Sequence, residues 1–155
     1  MTKGRTINIA HITEIVGQVS EALARTALIC AGWTVAKTET RESFDIVARD
    51  PLTAEWKTFQ VKTIKLRSDR RNEMVVYARK GNGEAYTQPE AEYIIGVLGA
   101  KEAEAPRVWV FENTGLGEYW ATEASAERRW IELPLSIQRE VYTHETPAGT
   151  VEVAA

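Results

Sequence analysis

Asp45 and, fifteen residues later, the triplet Gln60-Val61-Lys62 are the side chains whose types and spacing could do chemistry. A carboxylate, an amide and an ammonium converging on an otherwise apolar sheet are costly to bury unless they bind something. A divalent cation and a phosphate would engage all three. Magnesium prefers oxygen ligands, commonly one or two carboxylates together with phosphate and water. Asp45 would be its anchoring ligand, with the Gln60 amide oxygen and the Val61 main-chain carbonyl as further donors. Phosphodiester hydrolysis also needs an activated water and neutralisation of the charge that develops on phosphate. Lys62 would position or help deprotonate that water, or stabilise the pentavalent phosphate.

These residues need two neighbouring strands to bring them together. Ser43 to Ala48 reads as one strand and Trp56 to Ile64 as the next, with the turn-like Asp50-Pro51-Leu52-Thr53 between them, so a hairpin is expected. On the second strand Gln60 and Lys62 share one face, while Phe59 and Val61 point into a core. Upstream, Ile12 to Ala31 predicts a helix. Its apolar residues Ile12, Ile15, Val16, Val19, Leu23, Ala27 and Cys30 recur at steps of three and four, and Gly32 ends it. Further strands are expected at Thr34 to Thr38, Met74 to Arg79, Tyr93 to Leu98 and Val108 to Phe111. The apolar run at 93–98 suits a strand buried on both faces. Leu135 to Tyr142 predicts a last helix, with Thr146 to Gly149 as its exit. One helix followed by a meander of strands points to an α/β fold, a central mixed sheet flanked by helices.

Charge is distributed unevenly. The chain has 155 residues and a formal net charge of −3, but residues 56–80 hold eight basic side chains against two acidic ones. The excess starts on the Gln-x-Lys strand and runs on through Lys65, Arg67, Arg70, Arg71, Arg79 and Lys80. A local basic stripe on an acidic chain suits a phosphate-binding face better than a general polyanion binder. Arg67, Arg70, Arg71, Arg79 and Lys80 are better placed by type for phosphate contacts than for catalysis. The five tryptophans are expected in a core or an interface.

Composition removes other classes. The single cysteine, Cys30, excludes an internal disulfide and suits a reducing, cytoplasmic setting. His11 and His144 are too far apart in sequence for zinc-ligand spacing. No apolar run is long enough to span a bilayer and no signal-peptide pattern opens the chain, so no membrane partner is expected. The length suits a single domain, residues 1–155.

The order of these features resembles the PD-(D/E)xK nuclease superfamily, the restriction-endonuclease-like fold. The features are a helix carrying Gly17 and Glu21, a Phe44-Asp45 strand, a strand bearing Gln60-x-Lys62, and an apolar strand. The likeness spans about residues 12–112 and leaves 113–155 as a C-terminal extension. Within the superfamily the chain is most similar to homing endonucleases of group I introns that use Gln-x-Lys, and next to archaeal-type Holliday junction resolvases. The helix segment Gly17-Gln18-Val19-Ser20-Glu21, Gln60, and the segment Tyr86 to Tyr93 support the intron branch. Phe44 stands where the motif has proline, and Gln60 where it has a carboxylate, which removes one negative charge.

The resemblance implies a Mg2+-dependent DNA endonuclease, with Mn2+ as a substitute. It implies Glu21, Asp45, Gln60 and Lys62 as the catalytic set, with Glu21, Asp45, Gln60 and Val61 around the metal. Glu21 then restores part of the missing charge, and Glu42 is a substitute ligand. Lys65 joins Arg67, Arg70, Arg71, Arg79 and Lys80 against DNA. It further implies a homo-oligomer, dimer or tetramer, matching the two-fold symmetry of a DNA site. A non-catalytic DNA-binding module, or an interaction protein of a phage or mobile element, are the other classes the residues leave open.

Overall fold

The structure, a computed structural model, describes residues 11–99 and 104–137. Helix α1 (Ile12–Cys30) opens it, followed by strands β1 (Thr34–Ala36), β2 (Ile46–Arg49) and β3 (Trp56–Thr63). Then come β4 (Lys65–Arg67), a single 3-10 turn at Ser68–Arg70, and β5 (Glu73–Tyr77). The chain continues through β6 (Tyr93–Leu98), β7 (Arg107–Glu112) and β8 (Glu118–Ala121) to helix α2 (Glu123–Arg129) and β9 (Ile131–Leu133). The expected helix at 135–142 lies outside the described residues from 138 onward, as do His144 and Thr146–Gly149. Residues 135–137 are not helical. Among the described residues no helix is long and apolar enough to cross a membrane.

The architecture is mixed α/β. Six strands form the main sheet in the order β1-β2-β3-β6-β7-β9, and its neighbours are antiparallel except for β3 and β6, which run parallel. A parallel pair needs a long crossover, and here the crossover carries β4 and β5, which join β8 in a separate three-stranded sheet. The sequence reading anticipated a single sheet. Residues beyond 112 complete both sheets, β8 pairing with β5 and β9 with β7.

Two cores follow from this layering. One lies between α1 and the main sheet, around Ala24, Ala27, Leu28, Ile46, Phe59, Val61, Ile95 and Val97. The other lies between the main sheet's opposite face and the small sheet with α2, around Ile64, Val76, Ile94, Trp109, Phe111, Tyr119 and Trp130. Gly96 permits this second approach: a Cβ there would stand 3.0 Å from Val76 Cγ2 and 3.1 Å from Ile64 Cγ1.

Helix α1 buries only part of the face expected of it, Ala27 in the core with Leu23 packed against it. Ser20, Ala24, Ala27 and Leu28 are buried, whereas Ile12, Val16 and Val19 stay exposed at 63%, 41% and 51%. Two stripes on this helix satisfy a helical period, and the sheet takes the one with small side chains, which lets the helix approach closely. Ser20 Oγ and Thr63 Oγ1, 2.7 Å apart, tie the helix to β3.

Candidate active site

The hairpin of β2 and β3 is unequal, and the inequality creates the site. β2 pairs with β3 only over Trp56 to Phe59, while β6 pairs with it from Phe59 to Thr63. From Gln60 onward one edge of β3 therefore has no strand beside it. Asp45, expected within β2, sits just before its first residue. Its main-chain N–H still donates to Phe59 O at 2.9 Å, and its Oδ2 accepts the Val61 N–H at 2.9 Å. The carboxylate thus replaces the missing strand at one amide of β3. Its Oδ1 takes no hydrogen bond from any described residue. In an extended strand the N–H and C=O of one residue point to the same side, so the Val61 carbonyl also points toward Asp45.

The side chains of Asp45, Gln60, Glu21, Glu42, Lys80 and Tyr86 line one open cavity of about 480 Å³. A second, of about 400 Å³, lies on the α1 side between Asp45, Val61 and the helix residues Glu14, Gly17, Gln18 and Glu21. Glu21 therefore borders both cavities, each of which Asp45 also lines. It also accepts from Arg25 Nη1 at 2.9 Å, the i,i+4 pairing open to any helix glutamate. Gln60 is 8% exposed as a residue; its amide makes no hydrogen bond with a described residue but is not a buried unpaired group either. Glu42 accepts from Thr40 Oγ1 at the exposed rim.

Lys62 is half-buried on the face it shares with Gln60. Its Nζ donates to Arg79 O at 3.4 Å and lies 5.2 Å from the centre of the Tyr86 ring. Burial lowers the Lys62 ammonium from its usual range, opposed by the charge of Asp45. Asp45 moves the opposite way. Desolvation of its carboxyl group raises it, against the Val61 N–H and the Lys62 charge. The fold thus disfavours the charged form of both groups, and each relieves the other. Burial, and next the Asp45 charge, raise the Tyr86 phenol. Paired groups shifted away from their solution behaviour in a cleft are candidates for acid–base work.

The six basic residues expected on DNA divide into two groups. Arg79 and Lys80 follow β5 beside the cavity. Lys80 binds both Glu90 oxygens, at 2.9 and 3.1 Å, and with the Thr87 amide pulls Glu90 down to about 2. Arg79 donates to Gly83 O. Lys65, Arg67, Arg70 and Arg71 belong to the small sheet and its turn. Arg67 pairs with Asp69 and hydrogen-bonds Tyr77, and Arg70 pairs with Glu73 and Glu118. Lys65, Arg71 and Arg79 make no salt bridge among the described residues.

No protein-family model and no curated protein matches the sequence. Among solved structures the fold matches that of a bacterial homing endonuclease, I-Ssp6803I. The TM-score is 0.57 at 20% identity, over 73% of this chain and 80% of the other. The two chains share a fold. On this homing-endonuclease-like scaffold the Asp45 and Gln60-x-Lys62 residues meet at the open edge of β3.

Two residues escaped the sequence reading. Tyr86 stood in a segment noted for its resemblance, yet nothing marked its ring as a neighbour of Lys62. Asn113 had no local signal at all. Its Nδ2 donates to the carbonyls of Tyr86, Thr87 and Ala91 at 3.0, 3.2 and 2.8 Å, and its Oδ1 accepts from Tyr119 Oη and Gly115 N, both at 3.0 Å. This buried amide clamps the segment that carries Tyr86 and Glu90.

Proposed function

We propose that the protein is a metal-dependent DNA endonuclease of the PD-(D/E)xK superfamily, acting as a site-specific homing-type enzyme. The observation that carries this reading is the convergence at the open end of β3. Asp45 and Gln60, whose Oδ1 and amide make no hydrogen bond among the described residues, line a cavity bordered by Glu21, with the half-buried Lys62 ammonium on the same strand face as Gln60. The likeness of fold to a homing endonuclease raises the same reading.

The donor set suits Mg2+, or Mn2+ in its place. It would draw oxygens from Asp45, Gln60, Val61 and Glu21, and because among the described residues no three His, Cys, Asp or Glu side chains form a metal-holding group, the amide and main-chain oxygens would have to complete the set. When bound, the cation supplies charge neutralisation at the scissile phosphate and lowers the pKa of water. The chain's own part is to hold Asp45 by the Val61 N–H and to keep Lys62 within the field of Asp45. Lys62 then orients the attacking water, or donates toward the phosphate as charge builds there. Lys65, Arg67, Arg70, Arg71, Arg79 and Lys80 contact DNA phosphates, and two or more copies of the chain act together on a two-fold site.

Plasmid, four-way junctions and a random-site duplex library incubated with Mg2+ test the reading. The parent should cut at least one of them, and Asp45→Asn and Lys62→Ala should not. Cutting confined to junctions would move the assignment to a resolvase. No cutting of any substrate, or equal cutting by the variants, removes the catalytic role. Gln60 favours one second reading, a DNA-binding module without catalysis, because it leaves the site one carboxylate short. That reading requires salt-dependent DNA affinity without cleavage.

A further inference from the structure

Catalysis by Lys62 requires that its ammonium be held in one place, and lysine is poorly suited to this. Four flexible torsions carry a point charge that water would otherwise solvate. Among the described residues Lys62 has no ion pair, and its one hydrogen bond, to Arg79 O, is long at 3.4 Å. Asp45 acts on it through charge. The remaining contact is the Tyr86 ring, whose centre lies 5.2 Å from Nζ, within range of a cation–π attraction.

The ring is well placed for the task. Tyr86 is buried at 9% exposure and lines the cavity shared by Asp45, Gln60 and Glu21. Its main-chain carbonyl is fixed by Asn113 Nδ2 at 3.0 Å, and Ala91 farther along the same segment is fixed by the same nitrogen at 2.8 Å. The segment is pinned a second time by Glu90, which accepts from Thr87 N and Oγ1 at 3.1 and 2.9 Å and binds Lys80. An aromatic ring on a pinned segment thus meets the flexible lysine side chain.

We infer that Tyr86 is the positioning residue for Lys62, its ring holding the ammonium at the open edge of β3 where the scissile phosphate docks. This rests on the nuclease reading. The ring does the holding, and the phenol oxygen is dispensable to it.

The test uses the full chain with Tyr86→Phe and Tyr86→Leu. Reductive methylation with labelled formaldehyde places methyl probes on the lysines, and Lys62→Arg identifies the Lys62 signal by its loss. In the parent and in Tyr86→Phe that signal should lie upfield of exposed lysines through the ring current, and in Tyr86→Leu it should not. In cleavage assays Tyr86→Phe should retain the parent kcat, whereas Tyr86→Leu should lose about tenfold in kcat with DNA affinity unchanged. A Lys62 shift that persists in Tyr86→Leu, or a Tyr86→Phe variant as slow as Tyr86→Leu, overturns the inference. If Tyr86→Leu fails to fold, the ring-current shift in the parent and Tyr86→Phe decides alone. A parent that shows the shift yet cuts no DNA refutes the nuclease reading and leaves the contact standing.

Discussion

Replacing Asn113 by aspartate changes almost no volume and turns a donor into an acceptor at the centre of the clamp. Nδ2 serves three carbonyls, and two of those bonds, to Tyr86 O and Ala91 O, are buried. An oxygen at that position leaves both without a donor and adds repulsion, while Oδ1 can still accept from Tyr119 and Gly115. A buried acceptor stripped of its partner costs about 1–3 kcal/mol. Two of them amount to about 4 kcal/mol, or a fall in Tm of about 12 °C for a chain of this size. Thr87 O lies nearer the surface and can turn to water. Urea unfolding followed by fluorescence of the buried Trp109 and Trp130 measures the loss. The pH dependence has a definite sign. When protonated, the introduced carboxyl group could donate to one carbonyl, so the folded state raises its pKa. The variant's deficit should therefore shrink at acid pH and grow toward neutrality. A loss below about 1 kcal/mol at neutral pH would refute the clamp.

Asp45→Asn should lower cleavage by at least about 100-fold, and should leave the fold at least as stable as the parent at neutral pH, the gain being small because the exposed side of the carboxylate is screened by water. The folded protein raises the Asp45 carboxyl above its usual 3.8. The fold therefore holds that proton more tightly, and the Asp45 contribution to stability declines as pH rises through this window. The asparagine variant should lose that decline when urea midpoints are compared across pH. Gly96→Ala puts a Cβ against Val76 and Ile64 and should cost about 1–2 kcal/mol by thermal unfolding. Thr122 caps α2 by accepting from Ser125 N at 3.1 Å, so Thr122→Ala should cost about 1 kcal/mol, read from the same melts. Asp69→Asn removes only an exposed partner of Arg67. The melting temperature should not change measurably, since an exposed pair is screened by water, and DNA affinity should rise at low salt as that arginine loses its acidic partner.

The parts of this fold that the sequence made legible are those with a long local period. Helix α1 and the strands β3, β6 and β7 each carry enough apolar residues in register to declare themselves. The small sheet did not, because β4 and β8 span only three and four residues, and β8 finds its partner β5 far along the chain. Helix α2 buries a single side chain, Ala126, so its seven residues show no apolar face to read. On α1 the expected face held at Leu23 and Ala27 and missed at Ile12, Val16 and Val19, because both stripes had the right period and only the sheet's demand for small residues decided between them. The nearness of Asp45, Gln60 and Lys62 was legible because two of them share a strand and the third its hairpin. Tyr86 and Asn113 were not, since their roles depend on contacts made across the crossover.

That the polar group at the end of β2 is an aspartate carries the functional argument further than the spacing does. An uncovered strand edge needs something to take its amides, and a serine or asparagine at position 45 would take the Val61 N–H at lower cost. A neutral cap requires no desolvation of charge. Aspartate makes the same bond and leaves Oδ1 unused, on a residue that is exposed as a whole while its carboxyl group is partly desolvated against the ionised form. The nearest compensating charge, Lys62, is itself held where burial works against it. A structural cap alone accounts for the hydrogen bond and not for the charge. On the proposed function that surplus has a use, since a cation and the phosphate it neutralises would be held together at the edge that β2 leaves open.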